Sequence, residues 1–226
     1  MSFDTFTGKA KFYAEARPSY PNEAVEYIMN LVPKNAVFAD IGAGTGKFSE
    51  LISQKGYTLF AVEPNEDMRN QLILTLAPYG NATIVNGSSS DTTLYNNSID
   101  VITCAQALHW FDPISYMEEC KRIGKSTFLI VVVYNDHSTP DKKSHREIAV
   151  ERFLDNYEVK AFPNNLVYTR ELWLTYMTSH SSDPAYGSEE YPTHIAKMNE
   201  IFNGKQKDGL MYVEETTKVF TKLISL

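Results

Sequence analysis

Three features of this sequence predict an α/β fold built on a mostly parallel, doubly wound sheet. Short apolar runs alternate with segments of helical period, and the first such run ends in a cluster of glycines. The run Phe128 to Val133 is apolar on both faces, as expected of a strand covered by helices on both sides.

Taken in order, Pro21 to Val32 carries Val25, Ile28, Met29 and Val32 at helical spacing, with Pro21 suited to a first turn. Ala36 to Ile41 reads as a strand, and Lys47 to Lys55 returns to helical period through Phe48, Leu51 and Ile52. Thr58 to Val62 is the next strand. Asn65 to Ala77 is the next helix, capped by Asn65 and stopped by Pro78. Thr83 to Val85 and Ile99 to Ala105 follow as strands. Asp112-Pro113 then opens a helix as N-cap and first-turn pair, with Tyr116, Met117 and Cys120 on one face and Gly124 beyond its end. After Asn135 the pattern changes to an inserted segment longer than an ordinary connection, with helices expected near 143–156, 170–180 and 192–203, the last closing before Gly204. Leu210 to Glu214 and Lys218 to Ile224, flanking Glu215-Thr216-Thr217, predict a C-terminal antiparallel hairpin.

A chain of 226 residues with 43% hydrophobic and 22% charged residues can bury a full core without a metal or disulfide staple. Its formal net charge of −7 argues against recognition of a nucleic-acid backbone. The two cysteines, Cys104 and Cys120, lack both a disulfide framework and metal-ligand spacing, and the N-terminal residues lack signal- or transit-peptide character. No apolar run approaches the roughly 20 residues that span a bilayer. A cytoplasmic protein, monomeric or homodimeric, with a small-molecule partner and no membrane, nucleic-acid or metal partner, is expected.

The glycine cluster is Asp40-Ile41-Gly42-Ala43-Gly44-Thr45-Gly46, at the carboxyl end of the first predicted strand, where open parallel sheets bind ligands. Dinucleotides and S-adenosylmethionine both suit such a loop. The dinucleotide fingerprint would place its third small residue at Lys47, and Asp40 would repel a pyrophosphate while suiting the ammonium of a methionine moiety. Glu63, at the end of the second strand, could accept hydrogen bonds from a ribose diol of either cofactor and so discriminates nothing.

Ala39 to Phe48, then Val62-Glu-Pro-Asn65, then Ala105-Gln-Ala-Leu-His-Trp-Phe-Asp112, resemble the ordered motifs of class I S-adenosylmethionine-dependent methyltransferases. The branch most similar is the small-molecule group that includes trans-aconitate methyltransferase-like proteins, whose N-terminal pattern Tyr13 and Arg17-Pro-Ser-Tyr-Pro21 also match. The resemblance implies a Rossmann-like, seven-stranded sheet with its last strand antiparallel, S-adenosylmethionine as cofactor and S-adenosylhomocysteine as product. A single domain over 1–226 is then expected: an N-terminal helical lid (1–35), a cofactor-binding core (36–135), a helical substrate lid (136–208) and the hairpin (209–226). Residue by residue, the resemblance implies that Gly42 and Gly44 approach the methionine and ribose portion and that Glu63 holds the ribose hydroxyls. It puts Asn65, Met68 and Ser89 near the adenine, Arg17 on the methionine carboxylate, the Ala105 backbone on its amino group, and Tyr13 in a lid over the cofactor. Ser90 departs from the acid found in many relatives.

Methyl transfer is an in-line displacement at an activated carbon, so alignment matters more than a dedicated base. His109, after the fourth strand, is the candidate catalytic base, with ordering of its loop as the alternative role. Trp110 and Phe111 could wall the site or pack in the core. Trp173, Tyr176, Ser179 and His180 resemble the region where this branch builds its acceptor pocket, while periodicity makes Trp173, Tyr176 and Met177 one packed helix face. Lys142, Lys143, His145 and Arg146 form a basic cluster that could attract an anionic substrate and is read instead as a solvated helix face. A dinucleotide-dependent oxidoreductase and a noncatalytic S-adenosylmethionine-binding module are the competing functions.

Overall fold

The computed structural model describes residues 17–136, 143–179, 183, 184 and 186–226. Tyr13, Lys142 and His180 lie outside the described residues.

Helix α1 (Asn22–Asn30) follows Pro21 and buries Ala24, Val25, Ile28 and Met29. Strand β1 (Val37–Ile41) runs into the glycine loop, and helix α2 (Lys47–Gln54) leaves it. Strand β2 (Thr58–Val62) is followed by helix α3 (Glu66–Leu76), whose N-cap Asn65 accepts the Met68 amide. Strands β3 (Ala82–Val85) and β4 (Ile99–Ala105) lead to a short 3-10 turn, Leu108–Trp110. In helix α4 (Pro113–Ile123), Asp112 caps the Ser115 amide and proline occupies the first turn, as the Asp-Pro pair predicts.

The parallel strands β1 to β4 are joined by β5 (Gly124–Asp136), and the sheet order is β3-β2-β1-β4-β5-β7-β6. Period-two alternation divides the core. Phe38, Leu59, Val101 and Val131 face α1, α2 and α3, while Ala39, Ile102, Ile130 and Val132 face α4 and the next helix. Both faces are covered, so neither needs polar side chains.

The segment 136–208 differs from the helical insertion expected. Helix α5 (His145–Phe153) begins with a capping box between Ser144 and Glu147, but Glu158–Thr169 then forms strand β6. Its inward residues Phe162, Asn164 and Tyr168 alternate with exposed ones, and it is an edge strand, where Pro163 removes no needed amide. Helices α6 (Arg170–Tyr176) and α7 (Tyr191–Lys205) follow, and α7 continues through Gly204 rather than stopping before it.

The C-terminal hairpin is also corrected. Leu210–Ser225 is one continuous strand, β7, antiparallel to both β5 and β6. Glu215-Thr216-Thr217 does not turn, because it finds partners on both sides: Thr216 lies opposite Asp136 and Pro163, and Thr217 opposite Asn135 and Phe162. Thr217 Oγ1 further donates to Asn135 Oδ1 at 2.6 Å. The antiparallel last strand is thus as expected, but its outer neighbour comes from the inserted segment. Tyr168, Trp173, Tyr176, Phe202 and Met211 form a separate apolar cluster where α6 and α7 pack on this end of the sheet. Among the described residues no helix is long and apolar enough to cross a membrane.

Candidate cofactor and acceptor site

The first residues past β1 are tied to the end of β2, since the amides of Gly42 and Ala43 both donate to the Val62 carbonyl, at 2.9 and 3.0 Å. Gly42 has φ +73°, and a Cβ there would lie 2.8 Å from Ala107 Cβ and 2.9 Å from Phe111 Cζ. Packing against the loop after β4 therefore requires glycine. Gly44 is different: its φ is +57°, yet a Cβ would meet nothing within 4 Å, because its open side is cavity.

Glu63 closes this loop. Its Oε2 accepts the Gly44 amide at 2.8 Å and its Oε1 the Asn65 amide at 2.9 Å. Burial raises its pKa, opposed by those two amides. A carboxylate oxygen has two lone pairs, so each can still accept a hydroxyl from the cavity. Beneath the loop, buried Asp40 accepts from Ser49 Oγ at 2.6 Å and Thr103 Oγ1 at 2.8 Å. Its burial outweighs those hydroxyls and pushes its pKa up to about 6.

A cavity of about 450 Å³ opens at the carboxyl ends of these strands. Gly42, Gly44, Asp40 and Glu63 form one side, with Asn65, Met68 and Ser89 beyond the second strand and Ala105 at the end of the fourth. Arg17, His109, Trp110 and Tyr176 also line it. Two expected acceptor contacts do not. Trp173 is buried in the cluster under α6, where the hydrophobic spacing of that helix directs it. Ser179 is buried beside the cavity, its hydroxyl donating to the Tyr176 carbonyl at 2.7 Å and its own carbonyl 3.4 Å from Arg17 Nη2.

Another part of the lining is polar. The 3-10 turn presents His109, whose backbone amide donates to Tyr134 Oη at 3.1 Å while its Nδ1 lies 3.2 Å from the same oxygen. Burial, then the positive Arg146 and neighbouring His145, lower the His109 pKa to about 4. His145 and Arg146 come from the start of α5 and line the cavity, which corrects their expected place on a solvated face; Lys143 alone of the described cluster points outward, paired with Glu151. The Arg146 guanidinium lies 5.7 Å from the centre of the Tyr134 ring and donates to the Asn135 carbonyl. Tyr176 donates to Glu215 Oε1 at 3.3 Å, and Arg17 stacks over the Tyr176 ring at 5.6 Å.

The contributors that sequence reasoning does not assign to the site include Tyr20, Asn135, His145, Arg146 and Glu215. Tyr20 belonged to the recognised N-terminal pattern, and Arg146 to the recognised basic cluster. Asn135 and Glu215 give no local signal, because the apolar run of β5 stops short of Asn135 and Glu215-Thr216-Thr217 reads as a turn.

Residues 39–131 match the family described as methyltransferase domain. An uncharacterized methyltransferase of Mycobacterium bovis is 32% identical over 135 residues, which are 60% of this chain and 52% of that protein. The chain spans about half the length of the curated relatives it matches. Among solved structures, a putative type II methyltransferase from Anaeromyxobacter dehalogenans superposes with a TM-score of 0.68 at 17% identity, covering 92% of this chain and 97% of that one. A phosphoethanolamine N-methyltransferase from Haemonchus contortus, solved with S-adenosylhomocysteine, gives 0.61 at 13% identity over 100% of this chain and 61% of that one.

Proposed function

We propose that this chain, whose residues 39–131 match a methyltransferase domain, is a class I S-adenosylmethionine-dependent methyltransferase that transfers a methyl group from S-adenosylmethionine to a small organic acceptor. The observation that carries the reading is one shared cavity. The Gly44–Glu63 cradle and the polar wall of His109, Arg146, Tyr176 and Glu215 line the same 450 Å³, a volume within the ordinary range for a small-ligand site.

The residues present fit the cofactor. A glycine with open space beside it admits a ligand against backbone, Glu63 keeps acceptor capacity for a ribose diol, and Asn65, Met68 and Ser89 lie where an adenine would extend. Asp40 and the Ala105 carbonyl suit the amino group of the methionine portion, and Arg17 its carboxylate. When bound, the cofactor supplies a methyl group on positively charged sulfur, already activated for displacement.

The chain's own contribution is positioning. Trp110, Phe111 and Tyr20 supply apolar surface, while Arg146, His145 and Glu215 fix the orientation of the acceptor's polar groups. Specificity then resides largely in the segment 136–208 and in β7, which bring these polar residues to a cofactor site built by residues 36–135. The acidic net charge of −7 does not exclude an anionic acceptor, because the wall facing it carries arginine and histidine.

Thermal denaturation with S-adenosylhomocysteine and with NAD tests the cofactor. A ligand at 100 times its dissociation constant stabilises the fold by about 2.7 kcal/mol. Stabilisation by S-adenosylhomocysteine alone is expected, and stabilisation by NAD alone would replace the reading with an oxidoreductase. A screen of small acids, phenols and amines for S-adenosylhomocysteine release tests transfer, and tight cofactor binding with no turnover would leave a binding module.

A further inference from the structure

We propose that Tyr134 is a positioning residue that holds His109 in its Nε2–H tautomer, so that His109 offers the cavity a hydrogen-bond donor for the acceptor substrate instead of a base. The part of this inference that concerns the acceptor rests on the methyltransferase reading. The part that concerns the tautomer does not.

Tyr134 sits on β5, its side chain almost wholly buried. A phenol carries one proton and two acceptor lone pairs. Its oxygen takes the His109 backbone amide at 3.1 Å, which uses a lone pair and leaves the hydroxyl proton to be placed. Burial excludes water as the taker. Among the described residues the acceptor within reach is Nδ1 of the same histidine, at 3.2 Å. One residue thus supplies both the donor and the acceptor for the phenol, and the resulting ring is an imidazole with Nδ1 accepting and its proton on Nε2.

The surroundings keep that ring neutral. From α5, Arg146 and His145 face His109, the latter edge-on at 5.4 Å between ring centres, and from β4 the buried thiol Cys104 lies beside Tyr134. No carboxylate of the described residues hydrogen-bonds the imidazole. A histidine that gains a proton only as pH falls to about 4 is the free ring at neutrality but takes up protons poorly, which weakens the base role expected for it. As a donor it loses nothing.

The same geometry states what the donor is for. His109 lines the cavity, and with Nδ1 committed to Tyr134 its remaining polar atom is Nε2. The Arg146 guanidinium lies over the opposite partner of that contact, the Tyr134 ring, and its Nε is buried with no hydrogen-bond partner among the described residues. A neutral N–H and a cation on one wall favour a substrate whose polar group takes hydrogen bonds and already carries negative charge when it binds.

Long-range nitrogen–proton NMR of the uniformly labelled full chain, with and without S-adenosylhomocysteine, reads the tautomer directly. A pyridine-type Nδ1, a pyrrole-type Nε2 and a ring that stays neutral down to about pH 4 are expected. A pyrrole-type Nδ1, or titration at the ordinary histidine pH, overturns the proposal. In Tyr134→Phe the Nδ1–H form should appear and the His109 pKa should rise by about one unit, with S-adenosylhomocysteine affinity unchanged. An unaltered tautomer in that variant also overturns it, and if the variant fails to fold the wild-type spectrum still decides. Failure of cofactor binding or of methyl transfer would instead remove the functional reading and leave these spectra as they are.

Discussion

The Gly44 amide donates to Glu63 Oε2 across 2.8 Å, so the most open glycine of the loop and the acid at the end of β2 act as one unit. The loop's backbone holds the carboxylate, and the carboxylate holds the loop. Glu63→Ala removes the acceptor proposed for the ribose hydroxyls and strands two amides. Affinity for S-adenosylhomocysteine should fall roughly ten- to hundredfold, the equivalent of about 1.5–3 kcal/mol for a charge-assisted hydrogen bond. Titration calorimetry checks this, and an unchanged affinity would place the ribose elsewhere.

The two loop glycines should fail in different ways. Gly42→Ala forces a methyl group to within 2.8 Å of Ala107 Cβ at a positive φ, which combines overpacking with backbone strain. A loss of about 2–4 kcal/mol is expected in chemical denaturation. Gly44→Ala meets no neighbour, so only the backbone term of about 1 kcal/mol applies, but its methyl group projects into cavity space. Gly44→Ala should therefore be the more stable of the two variants and should still bind cofactor poorly.

Asp40 gives stability a measurable pH dependence. Its folded pKa of about 6 is above the unfolded value of 3.8, so between these the native state retains a proton that the unfolded chain has released. Its contribution is greatest below the unfolded pKa and is lost as pH rises through the folded one. The difference in unfolding free energy between wild type and Asp40→Asn should fall by about 2 kcal/mol from pH 4 to pH 7, read from denaturant titrations at each pH. A bound ammonium would favour the ionised carboxylate, so cofactor affinity should rise over the same interval in the wild type and stay flatter in the variant.

The buried acid Glu119 presents the opposite case. Burial alone would raise its pKa, but the Arg122 fork and the Thr92 hydroxyl and amide hold it down to about 2. This network ties α4 to the loop before β4, away from the cavity. Arg122→Ala should cost about 3 kcal/mol of stability, because it leaves a buried charge short of its partner, while cofactor affinity in the folded fraction stays as in the wild type. Denaturation and calorimetry on the same sample separate the two effects.

The first five strands and their helices were legible because each carries its own period and its own punctuation. Asn65 and Asp112 cap helices where their side chains suggested, and the apolar run from Phe128 is covered on both faces. The cofactor end of the site was legible for the same reason, since a glycine loop and an acid at a strand end are local signals. The second half was not. β6 reads Pro163-Asn164-Asn165 at its centre, a turn signal that an edge strand tolerates, and the polar Glu215-Thr216-Thr217 becomes strand only because neighbours from distant sequence pair with it on both sides. The polar lining of the cavity inherits that blindness: Asn135 and Glu215 reach the cavity through sheet register, which no local pattern encodes.

Helix α6 shows both outcomes within four residues. Periodicity made Trp173 and Tyr176 one packed face, and both are buried, yet only Tyr176 reaches the cavity. Trp173 packs on Tyr168 and Tyr176 within the cluster completed by Phe202 and Met211, so Trp173→Ala should cost about 3–5 kcal/mol and lower activity only through the unfolded fraction. Tyr176→Phe keeps the ring in that stack and deletes the hydroxyl that donates to Glu215. Its stability loss should be near 1 kcal/mol, and its effect should fall on the acceptor KM, because Glu215 loses a donor that orients it in the cavity. Denaturant melts paired with steady-state kinetics distinguish the two. A Tyr176→Phe variant with an unchanged acceptor KM would remove the Tyr176 hydroxyl from the acceptor site and leave it a role in packing alone.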